Sequence, residues 1–345
     1  MKKEVRIVTI VDRNYGNRLQ NLALTRYIEK LGCNVKTLEL RKYYKIKCMI
    51  KLFLNPLLGK GNEWEKFEKL IHYDRKLASE INPDKIDYFI AGSDQIWNPR
   101  FVFLSKREFL YFARPEQRIS YAGSFGVTEY PDDKKEAYGE ELKKFKAISV
   151  REKSAINLVK DICGREDATF VLDPTLLLTA DEWDSMLGEK KNTSDKPYVA
   201  VYFLGDMKNE CVTKVLDDCK KKGMEVKNIL EMNKEKAGGI GPFDFVSIIR
   251  NADYVLTDSF HASVFSLLYH RNFVVVNRSE DKWTGNMSTR LVSLLDMVNM
   301  KERFVATVAD LEGISWECNY SNVDEIILEE KAKSVDFLKS AMDMN

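Results

Sequence analysis

Strand-like apolar runs alternate with helical patterns along almost the whole chain, and this alternation is what most constrains the fold. EVRIVTIV (4–11) has the composition of a β-strand, and apolar residues then recur at helical spacing up to Gly32. A second strand pattern, VKTLEL (35–40), follows within a few residues. A strand, a helix and a strand in this order predict a parallel sheet flanked by helices.

The alternation stops once and then starts again. Residues 181–196 are polar and charged, and a new strand pattern, PYVAVYFLG, follows them. We therefore predict two Rossmann-like domains, at 1–180 and 196–320, and a C-terminal helix within 321–345 that could cross back to the first domain. Two such domains facing each other across a cleft are the GT-B type of α/β architecture, in which ligands gather at the carboxyl ends of strands.

The composition excludes several classes of protein. Of the 345 residues 44% are apolar, and 54 basic against 53 acidic residues leave a net charge of +1, which argues against a nucleic-acid partner. The six cysteines form no C-x-x-C pair, so we expect reduced thiols of a cytosolic protein and no zinc site. The N-terminal apolar run is too short for a signal peptide, and no transmembrane pattern is present.

Several predicted strands end in polar clusters that would meet at the carboxyl edges of the two sheets. Each cluster alone also fits a turn or a helix N-cap, so their shared position is the signal. The clusters are Asn14 to Arg18 with Gln20, Gly92 to Gln95, Ser149 to Glu152, Asp173 to Thr175, and Thr257 to His261.

His261 is one of only three histidines and lies where a strand meets a helix. In one interpretation, Asp258 or Ser259 caps that helix and His261 merely occupies its first turn. In the other, the imidazole serves proton transfer beside a helix end that favours an anionic ligand. We expect His72 and His270 to be structural or surface residues.

Two arginines follow similar junctions. Arg151 comes directly after an apolar strand, where its guanidinium could hold a carboxylate or phosphate in two-point contact. The alternative is an ordinary ion pair with Glu152 or another acid. Arg290 opens a helix after a loop, and the same two interpretations apply.

Residues 41–60 contain six Lys or Arg and no acid, interleaved with apolar residues. Such a segment could make peripheral contact with an anionic membrane or with a lipid-linked acceptor. The alternative is a helix that packs its apolar face against the protein and leaves its lysines in water.

Six motifs, in this order and at these separations, resemble the polysaccharide pyruvyltransferase family over residues 6–305. The resemblance implies a GT-B-like fold and transfer of a carboxyvinyl unit from phosphoenolpyruvate to a sugar of a cell-surface or exopolysaccharide precursor. A pyruvate ketal forms and phosphate leaves, with no cofactor and no metal. The motifs are NYGNRLQNLAL, AGSDQIWNP, YAGSFG, SVREKSA, LDPTLLL and TDSFHASVFSLL.

The resemblance also assigns roles. It implies that His261 is the general acid and that Arg151 clamps phosphoenolpyruvate. Some members carry an arginine two residues before the histidine, where this chain has Ser259, and Arg290 or Arg18 could supply that charge. The predicted substrate-binding residues are Asn17, Arg18, Gly92, Ser93, Asp94, Gln95, Asp258, Ser259 and Arg290. Among these, Asp94 and Gln95, with Asn17, are candidates to orient the acceptor or act as base.

The partners implied are phosphoenolpyruvate and a saccharide acceptor that could be lipid-linked, with the acceptor on the first domain and the protein in the cytoplasm or at the inner face of the membrane. One alternative function is a GT-B glycosyltransferase using a nucleotide sugar. The segment GGIGPFDF (238–245) fits neither nucleotide-binding fingerprint. Another alternative is a non-catalytic binding protein in which the polar junctions only cap helices.

Overall fold

The computed structural model describes residues 2–39, 63–76, 78–188, 196–235, 239–278 and 288–344. The basic segment 41–60 lies outside these ranges. The chain divides into two compact units, Met1–Leu177 with Lys331–Asn345 and Leu178–Glu330.

The first unit is built on a seven-stranded parallel sheet in the order β3-β2-β1-β4-β5-β6-β7. The order reverses direction between β1 and β4, which is the topological switch point of a Rossmann-like sheet. Its strands are β1 (Glu4–Val8), β2 (Asn34–Leu38), β3 (Tyr73–Asp74), β4 (Tyr88–Ala91), β5 (Arg118–Gly123), β6 (Ala147–Val150) and β7 (Thr169–Phe170). Its helices are α1 (Tyr15–Lys30), α2 (Glu63–Glu68), α3 (Asp132–Lys143) and α4 (Ser154–Cys163).

Both faces of this sheet are covered, as β4 shows. Its alternate residues belong to two different apolar clusters. Phe89 and Ala91 belong to one cluster, and Tyr88 and Ile90 belong to the other. Because successive side chains of a strand point to opposite faces, the two clusters lie on opposite sides of the sheet. A strand buried on both faces explains why its sequence is a continuous apolar run.

The second unit has a five-stranded parallel sheet in the order β12-β11-β10-β8-β9. This is the flavodoxin-like order, with its switch point between β8 and β10. The strands are β8 (Tyr198–Tyr202), β9 (Glu225–Asn228), β10 (Tyr254–Thr257), β11 (Asn272–Val276) and β12 (Phe304–Val305). The helices are α5 (Ala180–Leu187), α6 (Glu210–Lys221), α7 (Ile229–Glu235), α8 (Pro242–Arg250), α9 (Phe260–Leu268), α10 (Ser288–Met297), α11 (Val308–Glu312) and α12 (Val323–Ala341), whose last turns group with the first unit.

The segment interpreted as a polar connection begins with a helix. Thr179 caps α5 by accepting a hydrogen bond from the backbone N–H of Glu182, whose carboxylate accepts from the N–H of Thr179. Trp183 and Leu187 lie on its apolar face, and the ring of Trp183 contacts that of Phe265 edge to face, with centroids 5.1 Å apart. Residues 180–187 are therefore a packed part of the second unit.

The α/β class and the two parallel sheets predicted from the alternation are confirmed. No helix within the described ranges is both long and apolar enough to cross a membrane.

Candidate functional site

The carboxyl ends of β1 and β4 meet at the switch point of the first sheet, where Val8 pairs with Ala91. Gln20, from the first turns of α1, joins the two loops that follow. Its Oε1 accepts from the backbone N–H of Ser93 at 3.2 Å, and its Nε2 donates to Oγ1 of Thr9 at 2.8 Å. Ser93 is fully buried in this contact. The NYGNRLQ and AGSDQ motifs are thus held together by the glutamine.

The backbone after β4 explains two residues of the AGSDQ motif. Gly92 has φ +121°, and a Cβ at this position would lie 2.2 Å from the carbonyl oxygen of Tyr121, so no larger residue fits. Asp94 has φ 69°, a left-handed conformation that Asp tolerates better than most residues. Gln95 is buried, and its side-chain oxygen accepts from Nδ2 of Asn98. Gly92 and Asp94 shape this loop before any ligand is considered.

Arg151 lies between two carboxylates of the first unit. Its Nη1 donates to Oδ2 of Asp173 at 2.8 Å, and its Nη2 donates to Oδ1 of Asp94 at 3.2 Å. The side chains of Arg151 and Asp173 are 1% and 0% exposed. Burial alone would lower the pKa of Arg151, but the charges of Asp94 and Asp173 outweigh it, so the pKa is raised. The sequence analysis left open an ordinary ion pair with Glu152 or another acid. The structure shows buried pairs with Asp173 and Asp94.

Asp12 is a residue of this edge that the sequence analysis missed. It lies at the surface in the loop between β1 and α1, and its Oδ1 accepts from Nδ2 of Asn17 at 2.8 Å. Partial desolvation and then the charge of Asp94 raise the pKa of Asp12, although the amide of Asn17 opposes them. The only signal in the sequence is its position immediately after an apolar strand.

Arg18 lies in an ion pair within the same unit. Its side chain is fully buried, and its Nε and Nη2 donate to the two carboxylate oxygens of Glu68 at 2.8 and 3.2 Å. Its charge is therefore matched by an acid of α2. A substrate contact by Arg18 stays a prediction.

In the second unit, Asp258 joins loops on both sides of the switch point. Its carboxylate accepts from the backbone N–H groups of Leu204 and Gly205, which follow β8, at 2.8–3.0 Å. Its Oδ2 also accepts from Nε of Arg278, which follows β11, at 2.8 Å. Three polypeptide segments converge on one carboxylate whose side chain is 1% exposed.

His261 lies in the first turn of α9, directly beyond the switch point of the second sheet. Ser259 is the N-cap and accepts from the N–H of Ala262 at 3.5 Å, so capping is the role of Ser259 and not of Asp258. His261 is 7% exposed, and its ring contacts that of Phe260 edge to face at 5.3 Å. His261 therefore lies in the first turn of its helix, three residues after Asp258, whose carboxylate joins the neighbouring loops.

Other candidates lie elsewhere in the units. Arg290 is buried in the first turn of α10. His270 follows α9, where its Nε2 lies 2.9 Å from Asp324 and its ring stacks on Tyr320. The backbone carbonyl of His72 accepts from Thr37 in the first unit. Among the residues that the structure describes, no group of three or more His, Cys, Asp or Glu is arranged to hold a metal ion.

The family model for polysaccharide pyruvyl transferases matches residues 14–280. The chain belongs to this family. Its members are transferases, and this chain is therefore assigned as one. The matched range contains every predicted site residue except Arg290. No curated protein matches the chain.

Solved structures of low sequence identity share the fold. S. aureus MnaA, solved with UDP, has a TM-score of 0.53 at 12% identity, covering 100% of this chain and 98% of that one. UGT89C1 from Arabidopsis thaliana, solved with UDP-L-rhamnose, has a TM-score of 0.51 at 11% identity, covering 99% of this chain and 98% of that one. The UDP-GlcNAc 2-epimerase of Methanocaldococcus jannaschii has a TM-score of 0.51 at 10% identity, covering 99% of this chain and 100% of that one. These similarities confirm the GT-B-like fold.

Proposed function

We propose that this transferase moves a carboxyvinyl unit from phosphoenolpyruvate to two hydroxyls of a saccharide, forming a pyruvate ketal and releasing phosphate. Family membership supports the saccharide acceptor. The observation that carries the donor assignment is the position of His261, in the first turn of α9 beside the switch point of the second sheet. A proton donor at such a position suits a small anionic substrate.

The proposed reaction begins with proton transfer. His261 donates a proton to the methylene carbon of the enol, which becomes a methyl group and leaves positive charge at the neighbouring carbon. One acceptor hydroxyl attacks that carbon, the carbon–oxygen bond to phosphate breaks, and the second hydroxyl closes the ketal. The two hydroxyl protons balance the reaction, because one restores His261 and the other leaves with phosphate.

The acceptor hydroxyls need a base, and Asp12 suits this role in the proposal, because it would take the proton that then leaves with phosphate. It is at the surface beside the switch point of the first sheet, and its raised pKa brings it closer to neutral pH. Asp94 and Asp173 suit it less, because both are engaged by Arg151 inside the unit. In this scheme Arg151 is a positioning residue, and the direct contact with phosphoenolpyruvate implied by the family stays a prediction.

The location of the reaction is also part of the proposal. Phosphoenolpyruvate is a metabolite of the cytoplasm, which supports a cytoplasmic enzyme, and an acceptor carried by a membrane lipid would bring it to the inner face of the membrane. The scheme uses proton transfer and charge stabilisation, so it calls for no cofactor. Fractionation of cells that produce the full chain, with and without high salt, tests the membrane contact.

The function is tested with purified protein, phosphoenolpyruvate and a panel of p-nitrophenyl hexopyranosides that carry unsubstituted 4- and 6-hydroxyls. Phosphate release that depends on the sugar, together with a product whose mass includes one pyruvate ketal, is the expected result. Thermal stabilisation by UDP-sugars and none by phosphoenolpyruvate would contradict the proposal and favour a nucleotide-sugar glycosyltransferase.

A further inference from the structure

Arg278 lies beside the predicted site residues of the second unit but is not one of them. It lies two residues after β11, at the same edge of the sheet as Asp258 and His261. Its side chain is 14% exposed, whereas that of Asp258 is 1% exposed. Arg278 therefore carries a positive charge from the buried carboxylate towards the surface of this edge.

The side chain of Arg278 is held at two points, its guanidinium nitrogen Nε and its aliphatic stem. Its Nε donates to Oδ2 of Asp258, and that carboxylate is itself fixed by the N–H groups of Leu204 and Gly205. The stem of Arg278 packs on the backbone of Gly205, where a Cβ would lie 3.1 Å from Cγ of the arginine. These contacts hold the plane of the guanidinium before any ligand binds, which lowers the entropic cost of binding.

The two Nη groups remain available to a ligand. In the described part of the chain, Nε is the only nitrogen of the Arg278 guanidinium that has a hydrogen-bond partner. The Nη groups of an arginine form a planar fork that matches a carboxylate or a phosphate in two-point contact. An anion of that shape is the ligand that this arrangement suits.

We propose that Arg278 binds an anionic group of phosphoenolpyruvate at the carboxyl edge of the second sheet, close in sequence and fold to His261. This inference rests on the proposed function and adds to it a donor-binding residue. In this proposal Arg278, and neither Arg18 nor Arg290, supplies the charge that Ser259 does not. Arg18 is paired with Glu68 in the first unit.

A purely structural role would be to neutralise the buried Asp258, and the two roles differ in what they change. The test is a calorimetric titration of the full chain with phosphoenolpyruvate. It compares wild type, Arg278→Gln and Arg278→Lys. Lysine keeps a charge near Asp258 but lacks the fork, so it guards against a glutamine variant that does not fold. Arg271→Gln is the matched control, because Arg271 precedes β11 at the opposite edge of the same sheet.

We expect the Kd for phosphoenolpyruvate to rise roughly 10- to 100-fold in Arg278→Gln, because the variant loses a hydrogen bond to a charged group. Arg278→Lys is expected to bind more weakly than wild type, and Arg271→Gln as wild type. Titrations with inorganic phosphate and with pyruvate show which anionic group the arginine holds, and a loss of affinity for either supports the proposal.

An unchanged Kd in a folded Arg278 variant would overturn this inference and leave the proposed function standing. If the wild-type protein does not bind phosphoenolpyruvate at all, the proposed function fails and the inference fails with it. The two failures are therefore distinguished by the wild-type titration alone.

Discussion

Nη1 of Arg151 donates a hydrogen bond to Oδ2 of Asp173 across 2.8 Å, and neither side chain is more than 1% exposed. The other Nη of the arginine contacts Asp94 in the loop after β4. One cation thus links the ends of three neighbouring segments of the first unit. Removing it would leave two carboxylates buried without their cation.

We therefore expect Arg151→Gln to lower the free energy of unfolding by about 3–5 kcal/mol, the usual cost of breaking a buried ion pair from one side. Urea denaturation of wild type and variant measures it. Lys143→Gln, which removes an exposed pair with Glu140, is the control and should have little effect. A small loss in Arg151→Gln would mean that the two carboxylates are solvated in the folded protein.

Asp12 gives a prediction with a defined pH dependence. Its pKa in the folded protein is raised above the ordinary value of 3.8, so ionisation of Asp12 costs stability. The cost is absent below the unfolded pKa and grows as the pH rises through the folded pKa. Asp12→Asn keeps an oxygen for Asn17 and removes the charge.

The melting temperature of Asp12→Asn should therefore exceed that of wild type at neutral pH, and the difference should vanish near pH 3. Thermal melts over this range check it. A difference that is constant with pH would show that the carboxylate is not responsible. Asn17→Ala, which removes the amide but keeps the charge, should lower the melting temperature at neutral pH.

Helix α5 offers a test of the fold where sequence interpretation and structure differ. Trp183 is fully buried against Phe265. Trp183→Ala should cost about 3–5 kcal/mol of unfolding free energy, as expected for deleting a buried aromatic ring. Ser185→Ala, on the exposed side of the same helix, should change it by less than about 0.5 kcal/mol. If the two substitutions changed the unfolding free energy equally, residues 180–187 would be a solvated connection and not a packed helix.

Gly205 tests how Arg278 is positioned. A Cβ there would lie 2.9 Å from Cε1 of Phe203 and 3.1 Å from Cγ of Arg278, so Gly205→Ala should displace the arginine. We expect weaker binding of phosphoenolpyruvate in calorimetry, with a smaller effect than substitution of Arg278 itself. At Gly313 a Cβ meets nothing within 4 Å, so Gly313→Ala is the control. Unchanged affinity in Gly205→Ala would argue against the packing on which the orientation depends.

Much of the fold could be predicted from the sequence because parallel strands buried on both faces give continuous apolar runs. The runs at 254–257 and 272–276 are strands β10 and β11. Helices α3 and α5 were not predicted. Both are rich in acids, so their apolar faces consist of a few residues, such as Trp183 and Leu187 in α5.

The chemistry of the site could be predicted less well, because it depends on contacts between residues far apart in sequence. The partners of Asp258 lie 20 and about 54 positions away, at Arg278, Leu204 and Gly205. Arg18 is likewise matched by Glu68, 50 positions away. A pattern can show that a polar residue follows a strand, but it cannot show which charge will neutralise it. Arg278 was missed for this reason.

The central claim is that His261 donates the proton that activates phosphoenolpyruvate. Its most direct test is the rate of phosphate release in the presence of an accepted p-nitrophenyl hexopyranoside, compared between His261→Gln and His270→Gln. We predict a loss of about 100-fold or more in His261→Gln, the usual contribution of a general acid, and a rate near that of wild type in His270→Gln. A folded His261→Gln protein that releases phosphate at the wild-type rate would contradict the account.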